Sequence, residues 1–402
     1  MQISRPLDWI DTQYERMCRL IESWANVNSF THNIEGLDRL RGILKKDFAV
    51  LGGEMEEIAL LPRNVLDSAG KPSSLPLGKA IRIVKRPNAS RRVFLCIHMD
   101  TVYEPHHVLQ TTSIDGNVMK GPGVTDAKGG LAVMLIALEA LERSGLELGW
   151  EVLINPDEEI GSPGSRELFV RAAKENRVGL LFEPLMQDGS MVNSRKGART
   201  ITVIVHGRSA HAGRAVNVGR NAIQALAEFI VRLTERKVGE ATINIGHIEG
   251  GGPVNIVPDL AIGRINIRVT NMTEQETIER WVQELAADIN SREGFRVEIH
   301  GTPGTPPKVL DAPTQQLIDQ MTSCAGELGQ TFPWKMSGGI SDGNRLAIAG
   351  LPNLDSLGPL GGDIHSPDEF LMLESLVPRT KLTASFLMKL ATGELEIPRR
   401  PS

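Results

Sequence analysis

Cysteine is nearly absent from this chain: Cys18, Cys96 and Cys324 are three in 402 residues, an odd number with no CxxC pair. That excludes a disulfide framework and a thiolate metal site. Charge of one sign is missing as well. Lys plus Arg number 44 against 49 Asp plus Glu, and the formal net of −5 is too small and of the wrong sign for a nucleic-acid binder. Long apolar runs are lacking too. The longest, Leu131 to Leu138, is eight residues, far short of the roughly 18 that a membrane span requires. The N-terminal stretch MQISRPLDWIDTQYERMCRL interrupts each apolar segment with charge, so no secretory h-region is expected and a reducing cytoplasm is the expected location. What is present is the composition of a globular protein, 41% hydrophobic and 23% charged, with 40 glycines as the one excess. The length suggests two or three domains at one per roughly 150 residues.

Periodicity predicts helices over Asp8 to Trp24 and Ile34 to Leu51, then strands over Met55 to Leu61 and Ala80 to Val84. Beyond these, short β-branched runs alternate with helical patterns, which argues for βαβ units and a mostly parallel sheet. The runs are Val93 to Ile97, Glu151 to Ile154, Val178 to Phe182 and Pro352 to Leu357, and between the first two lies Gly130 to Arg143, a helix apolar almost all round. From Ala198 to His300 the order becomes β-α-β-β-α-β, with strands at 198–206, 241–248, 260–269 and 295–300 and helices at 217–237 and 273–289; this is the split βαβ of ferredoxin-like domains. Loop signals flank it at Lys196-Gly197 and at Gly301 to Lys308. The expected architecture is therefore α/β, a mixed, mostly parallel sheet sandwiched by helices, formed by residues 1–195 and 307–402, with a ferredoxin-like domain inserted at 196–306.

In open α/β sheets ligands bind beyond the carboxyl ends of the strands. Here each apolar run leads there to a metal-ligand type of side chain: His98 and Asp100 after the first, Asp157, Glu158 and Glu159 after the second, Glu183 after the third, and His365 beyond the fourth. Asp126 lies in the glycine-rich loop GPGVTDAKGG ahead of the buried helix. Taken singly, each has an ordinary explanation, such as a turn, a helix cap or a solvated surface acid. Four strands delivering such residues to one sheet edge outweigh that. Two imidazoles and three carboxylates form the N/O donor set of zinc, with cobalt or manganese also suited. Asp100, two residues from His98 on an extended strand, points to the same face and can take the proton of the second imidazole nitrogen. Of the adjacent Glu158 and Glu159, one can coordinate while the other serves as general base in metal-assisted hydrolysis.

The ordered set His98-Met99-Asp100-Thr101-Val102, Gly121-Pro122-Gly123 with Asp126, Asp157-Glu158-Glu159-Ile160-Gly161-Ser162, Glu183-Pro184, Gly207-Arg208-Ser209-Ala210-His211-Ala212-Gly213 and His365-Ser366-Pro367 resembles the co-catalytic di-zinc family of glutamate carboxypeptidase, acetylornithine deacetylase, succinyl-diaminopimelate desuccinylase and aminoacylase. The resemblance implies two metal ions bridged by Asp126, with His98 and Glu183 completing one site and Glu159 and His365 the other, and Glu158 as the base. It implies that the inserted domain is a lid and dimerisation surface. His211 would stabilise the oxyanion, Arg268 would hold a substrate carboxylate, Asn255 would lie near the scissile carbonyl, and Lys196, Gly338 and Gly339 would line the pocket. Glutamate at position 183 leans toward the carboxypeptidase-like branch, and a cis peptide is expected after Asp126. Two departures are Ala127, where a polar residue is usual, and the absence of arginine from 300–305, which argues against reading of a glutamate side chain.

The expected function is hydrolysis of an amide bond next to a free carboxylate, as a carboxypeptidase or, in the second reading, an N-acyl-amino-acid deacylase. The partners would be a small peptide or N-acyl amino acid and a second copy of the chain, with neither nucleic acid nor membrane. A non-catalytic protein that has kept the fold would be expected to have lost a ligand or Glu158, and none is missing.

Overall fold

The computed structural model of the protein describes residues 4–66, 72–301 and 304–398. Thr302 and Pro303, inside the loop expected at Gly301 to Lys308, and the two chain ends lie outside the described residues. The first expected helix is divided into Ser4–Asp11 and Tyr14–Ala25. The break is local chemistry: the Thr12 hydroxyl donates to the Trp9 carbonyl at 2.7 Å, so a side chain takes a place the helical ladder would use. The next helix, Ile34–Phe48, is capped by Asn33, whose side chain accepts from the Gly36 amide, and it closes through a tight turn at Ala49–Leu51.

Six strands make the main sheet, in the order Glu54–Ala59, Lys79–Lys85, Gly149–Asn155, Arg92–His98, Val178–Leu181 and Asn353–Leu354. The first two pairings are antiparallel and the remaining three parallel. Gly149–Asn155 is buried at every position, as a parallel strand covered on both faces must be. The apolar helix is Gly130–Ser144, buried from Gly130 to Leu141. It starts so close to the sheet that a Cβ on Gly130 would lie 2.1 Å from the Phe182 carbonyl oxygen. The expected Pro352 to Leu357 strand shrinks to two residues, because Ser356 takes a left-handed φ of 61° and turns the chain away.

A second, antiparallel sheet runs in the order Thr242–Gly250, Leu260–Val269, Gly197–His206 and Arg296–Gly301, with helices Ala222–Thr234 and Met272–Asn290. Ile201, Val203, Phe229, Ile265, Leu285 and their neighbours form a hydrophobic cluster of their own between that sheet and its helices. The first of these helices starts five residues later than its periodicity suggests. Asn221 supplies the cap by accepting from the Gln224 amide, and residues ahead of it fold back on Arg220. Three small pairings had no counterpart in the sequence reading: the Arg63–Leu66 and Pro72–Leu75 hairpin, the Met191–Arg195 and Trp334–Ser337 pair, and a four-stranded patch of Gly361–Gly362, Phe370–Met372, Val118–Lys120 and Ser113–Asp115. No helix among the described residues is long and apolar enough to cross a membrane.

Candidate metal centre and active site

The Arg92–His98 strand ends by delivering His98 into a fully buried position. Its Nδ1 lies 3.1 Å from the Asp100 carbonyl and 3.3 Å from Asp100 Oδ1, which turns Nε2 toward Asp126 Oδ1 at 2.9 Å. Asp100 does more than orient an imidazole. Its carboxylate also accepts from the Thr31 hydroxyl at 2.7 Å and from the amides of Glu158 and Glu159 at 3.2 Å each. One buried side chain thereby fixes the histidine at one strand's end and the glutamate pair just beyond the neighbouring strand relative to each other.

Asp126 sits in the loop that follows Gly123, whose φ of 70° is left-handed and whose Cβ would lie 2.6 Å from Thr101. The peptide after it, Asp126–Ala127, is cis. The loop is held from two sides. Lys128, buried beneath it, donates to Ser29 Oγ at 2.9 Å and to the Met99 carbonyl at 3.1 Å, and the Glu369 carboxylate accepts from the amides of Gly123, Thr125 and Asp126. On the far side of Asp126 stands His365, with Nε2 3.5 Å from Asp126 Oδ2 and 3.1 Å from Glu159 Oε2. Asp126 therefore lies between two imidazoles. Glu183, buried at the end of Val178–Leu181, exerts its charge on His98 and Asp126.

The electrostatics follow from this crowding. Burial, reinforced by Glu183, pushes the Glu158 carboxyl well above the usual carboxylate range. Glu183 is pushed up to about 8 by burial, with Asp126 and Asp355 adding to it against the pull of His98 and Arg195. Burial raises Glu159 as well, opposed by its contact with His365. Asp126 moves the other way, since its bonds to His365 and His98 overcome burial and hold it low. Those same bonds, to Asp126 first and then Glu159, lift His365 to about 10. Four carboxylates thus share two imidazoles, an excess of buried negative charge that calls for cations. The donor atoms of His98, Asp126 and Glu159 lie within 4.8 Å of one another, and an all-N/O set of this kind fits divalent metal ions.

Around this centre are residues the sequence reading did not reach. Arg195 grips Asp355 with Nε–Oδ2 at 2.7 Å and Nη2–Oδ1 at 2.9 Å, both side chains buried, and its Nη1 donates to the Gly339 carbonyl at 3.2 Å. Asp342 accepts from Asn155 and from the Ser162 hydroxyl, while Asp157, already named among the strand-end acids, takes the Gly164 and Ser165 amides just beyond it. Nothing local distinguishes Asp342 and Asp355 from solvated acids, because the Asn155, Ser162 and Arg195 donors come from distant parts of the chain.

The second sheet carries the other expected residues. Arg268 donates from Nε to Asn266 at 3.0 Å, and its Nη1 is buried with no hydrogen-bond partner among the described residues. Burial lowers its pKa, and its charge acts on Glu158. His211 is exposed, with Nδ1 accepting from the amides of Gly213 and Arg214 at 3.1 and 3.2 Å. Exposed Asn255 lies beside it, its carbonyl accepting from the Ala212 amide at 2.9 Å. The hydrogen bonds of both stay within and between these two loops and do not reach the His98 cluster. Lys196 is directed into the second sheet's side of the molecule, donating from Nζ to the Glu240 carbonyl at 2.7 Å. Gly339 joins the Arg195 network, and a Cβ on Gly338 would meet open space.

Residues 94–389 match the family model described as peptidase family M20/M25/M40. Carboxypeptidase G2 of Pseudomonas sp. (strain RS-16) is 27% identical over 94% of this chain and 89% of its own length. Succinyl-diaminopimelate desuccinylase of Gluconobacter oxydans is 24% identical over 68% of this chain and 74% of its own. Among solved structures, a tripeptidase from Staphylococcus aureus superposes with a TM-score of 0.74 at 23% identity, covering 94% of this chain and 99% of that one. A di-peptidase from Saccharomyces cerevisiae gives 0.75 at 15% identity, covering 97% and 98%.

Proposed function

Because this chain belongs to peptidase family M20/M25/M40, and is thereby a metal-dependent hydrolase, we propose that it cleaves an amide bond next to a free carboxylate and releases a C-terminal amino acid. Two divalent cations, zinc first by donor type, would be held by His98, Asp126 and Glu183 and by Asp126, Glu159 and His365. When bound they supply the Lewis acidity that polarises the scissile carbonyl and acidifies water. Glu158 takes a proton from water and returns it to the leaving amine, a task suited to a carboxyl whose pKa burial has raised. Asp100 keeps His98 in orientation.

The observation that carries the substrate class is Arg268. A buried guanidinium nitrogen with no hydrogen-bond partner among the described residues, electrostatically coupled to the proposed base, is a ready clamp for a carboxylate one carbon away from the reacting amide. Residues 196–306 act in this reading as a lid. The chain pairs with a second copy through that lid, and His211, exposed in its own chain, stabilises the oxyanion of the partner's site with Asn255 beside it. Lys196 at the lid's base and Gly339 in the metal-binding domain contribute to the pocket.

A panel of dipeptides, benzoyl- and folyl-glutamates, N-acetyl amino acids and their C-terminal amides tests this. Chelator-sensitive hydrolysis of the free acids is expected, with no turnover of the amides. Equal turnover of amides, or activity that survives chelation and dialysis, overturns it. The desuccinylase relative favours a second reading, N-acyl-amino-acid deacylase, and N-acetyl substrates outpacing dipeptides would establish that one instead.

A further inference from the structure

One buried acid lies outside the proposed chemistry and yet touches both of its outer loops. Glu369 is 1% exposed, and its carboxylate is surrounded by donors: the Thr125 and Asp126 amides at 3.0 Å each on Oε1, and the Gly123 amide at 2.8 Å with the Tyr103 hydroxyl at 2.7 Å on Oε2. Four donors converging on two oxygens is the full capacity of a carboxylate, and no neutral side chain offers four acceptor positions without a donor of its own. Glu369 also lies four residues after His365 in the sequence, and the Tyr103 hydroxyl is 3.0 Å from the carbonyl of Ser366. The backbone completes the joint: the Gly121 amide donates to the Glu369 carbonyl at 3.3 Å, and the Thr125 hydroxyl bonds the Phe370 carbonyl.

We infer that Glu369, with Tyr103 as its brace, is a positioning residue that locks the Asp126 loop to the His365 loop and so sets the separation of two metal ligands remote in sequence. The inference rests on the reading of Asp126 and His365 as ligands. In the folded state the carboxylate pins the backbone nitrogen of Asp126 itself, so the ligand's own side chain has its origin fixed. A ligand whose orientation is left to a mobile loop has to be ordered by the metal at the expense of affinity. Outer partners of this kind are worth roughly 10- to 100-fold in metal affinity.

The test is metal affinity and cobalt spectroscopy of the full chain, with the melting temperature of the metal-free protein as the folding control. In Glu369→Gln the amide NH2 has to face a backbone N–H, that of Gly123 in one orientation or those of Thr125 and Asp126 in the other, donor against donor. Zn2+ affinity measured against a competing chelator should fall by roughly 10- to 100-fold, and the visible absorption of the Co2+ form should shift. A folded Glu369→Gln protein with wild-type affinity and spectrum overturns the inference. If Glu369→Gln does not fold, Tyr103→Phe decides, since it removes one of the four donors and keeps the carboxylate: weakened affinity with an altered Co2+ spectrum supports the inference, and wild-type values overturn it. Asp126→Ala separates this from the underlying reading, because full metal affinity in that variant would remove Asp126 as a ligand altogether.

Discussion

At the sheet end of the site, His98, Asp100, Asp126 and Glu159 are each held by two or more contacts from different parts of the chain. At the proposed lid end, Arg268 has a nitrogen with no hydrogen-bond partner among the described residues, and the loops of exposed His211 and Asn255 bond to each other and not to the His98 cluster. The first end is complete before any substrate arrives. The second is a set of groups waiting for something to meet. The difference teaches which part of such a site can be set during folding, namely the part proposed to hold cations and a base, and which part has to remain open for the substrate to enter.

That contrast can be broken most sharply at Glu158. Glu158→Ala should retain its metal by elemental analysis yet lose about 1,000-fold or more in kcat; near-normal turnover would remove Glu158 from the proton transfer. Next is Asp355. Asp355→Asn leaves Arg195 buried without its counter-charge and should lower stability in urea by about 3–5 kcal/mol. The pH dependence has a definite sign. Although burial works against it, Arg195 and then Lys308 hold the folded Asp355 down to about 2. Its contribution is therefore fully present above the unfolded value of about 4 and is lost as pH falls through 2. The gap between wild type and variant should close only on acidification below about pH 4; a gap that stays constant down to pH 2 would show that the pair is not its source.

The lid end should respond differently. His211→Ala is expected to lower kcat by about 100-fold with metal content and stability unchanged, and loss of metal would place His211 at the sheet end instead. The smallest effect is expected on the lid's outer helices, where Glu228 accepts from Arg292 at 2.6 Å and Arg232 at 3.0 Å in half-exposed surroundings. Glu228→Gln should cost under about 1 kcal/mol, and a loss like that of Asp355→Asn would erase the distinction between the two regions.

The sequence made the same contrast partly legible. Strand ends were readable because a buried parallel strand is a continuous apolar run, and the residue at which it stops being apolar is the residue that faces the crevice. Val93 to Ile97 announces His98 in this way, and Val178 to Phe182 announces Glu183. The β-α-β-β-α-β order was readable from alternation alone. Glu369 was not, since in His365-Ser366-Pro367-Asp368-Glu369 it looks like one more surface acid beside Asp368. Its burial is created by amides some 240 residues earlier in the chain, at separations of 243 to 246, and no local pattern records them. The Asp355 and Arg195 pair was hidden for the same reason, and the small Phe370–Met372 patch because three-residue strands have no period to detect. The turn at Thr12 was missed because a side-chain hydroxyl overrode an otherwise helical apolar spacing.

Gly130 has a consequence for which substitutions the protein tolerates. With the Phe182 carbonyl 2.1 Å from where a single methyl would sit, the helix that carries the Asp126 loop and the strand that carries Glu183 are separated by a gauge with no slack. Enlarging it by one carbon forces backbone apart at the residue next to Glu183. Variation that alters what the enzyme accepts therefore has its freedom in the proposed lid, where a Cβ at Gly252 or beside His211 meets little or nothing, while the proposed metal end admits almost no change in spacing.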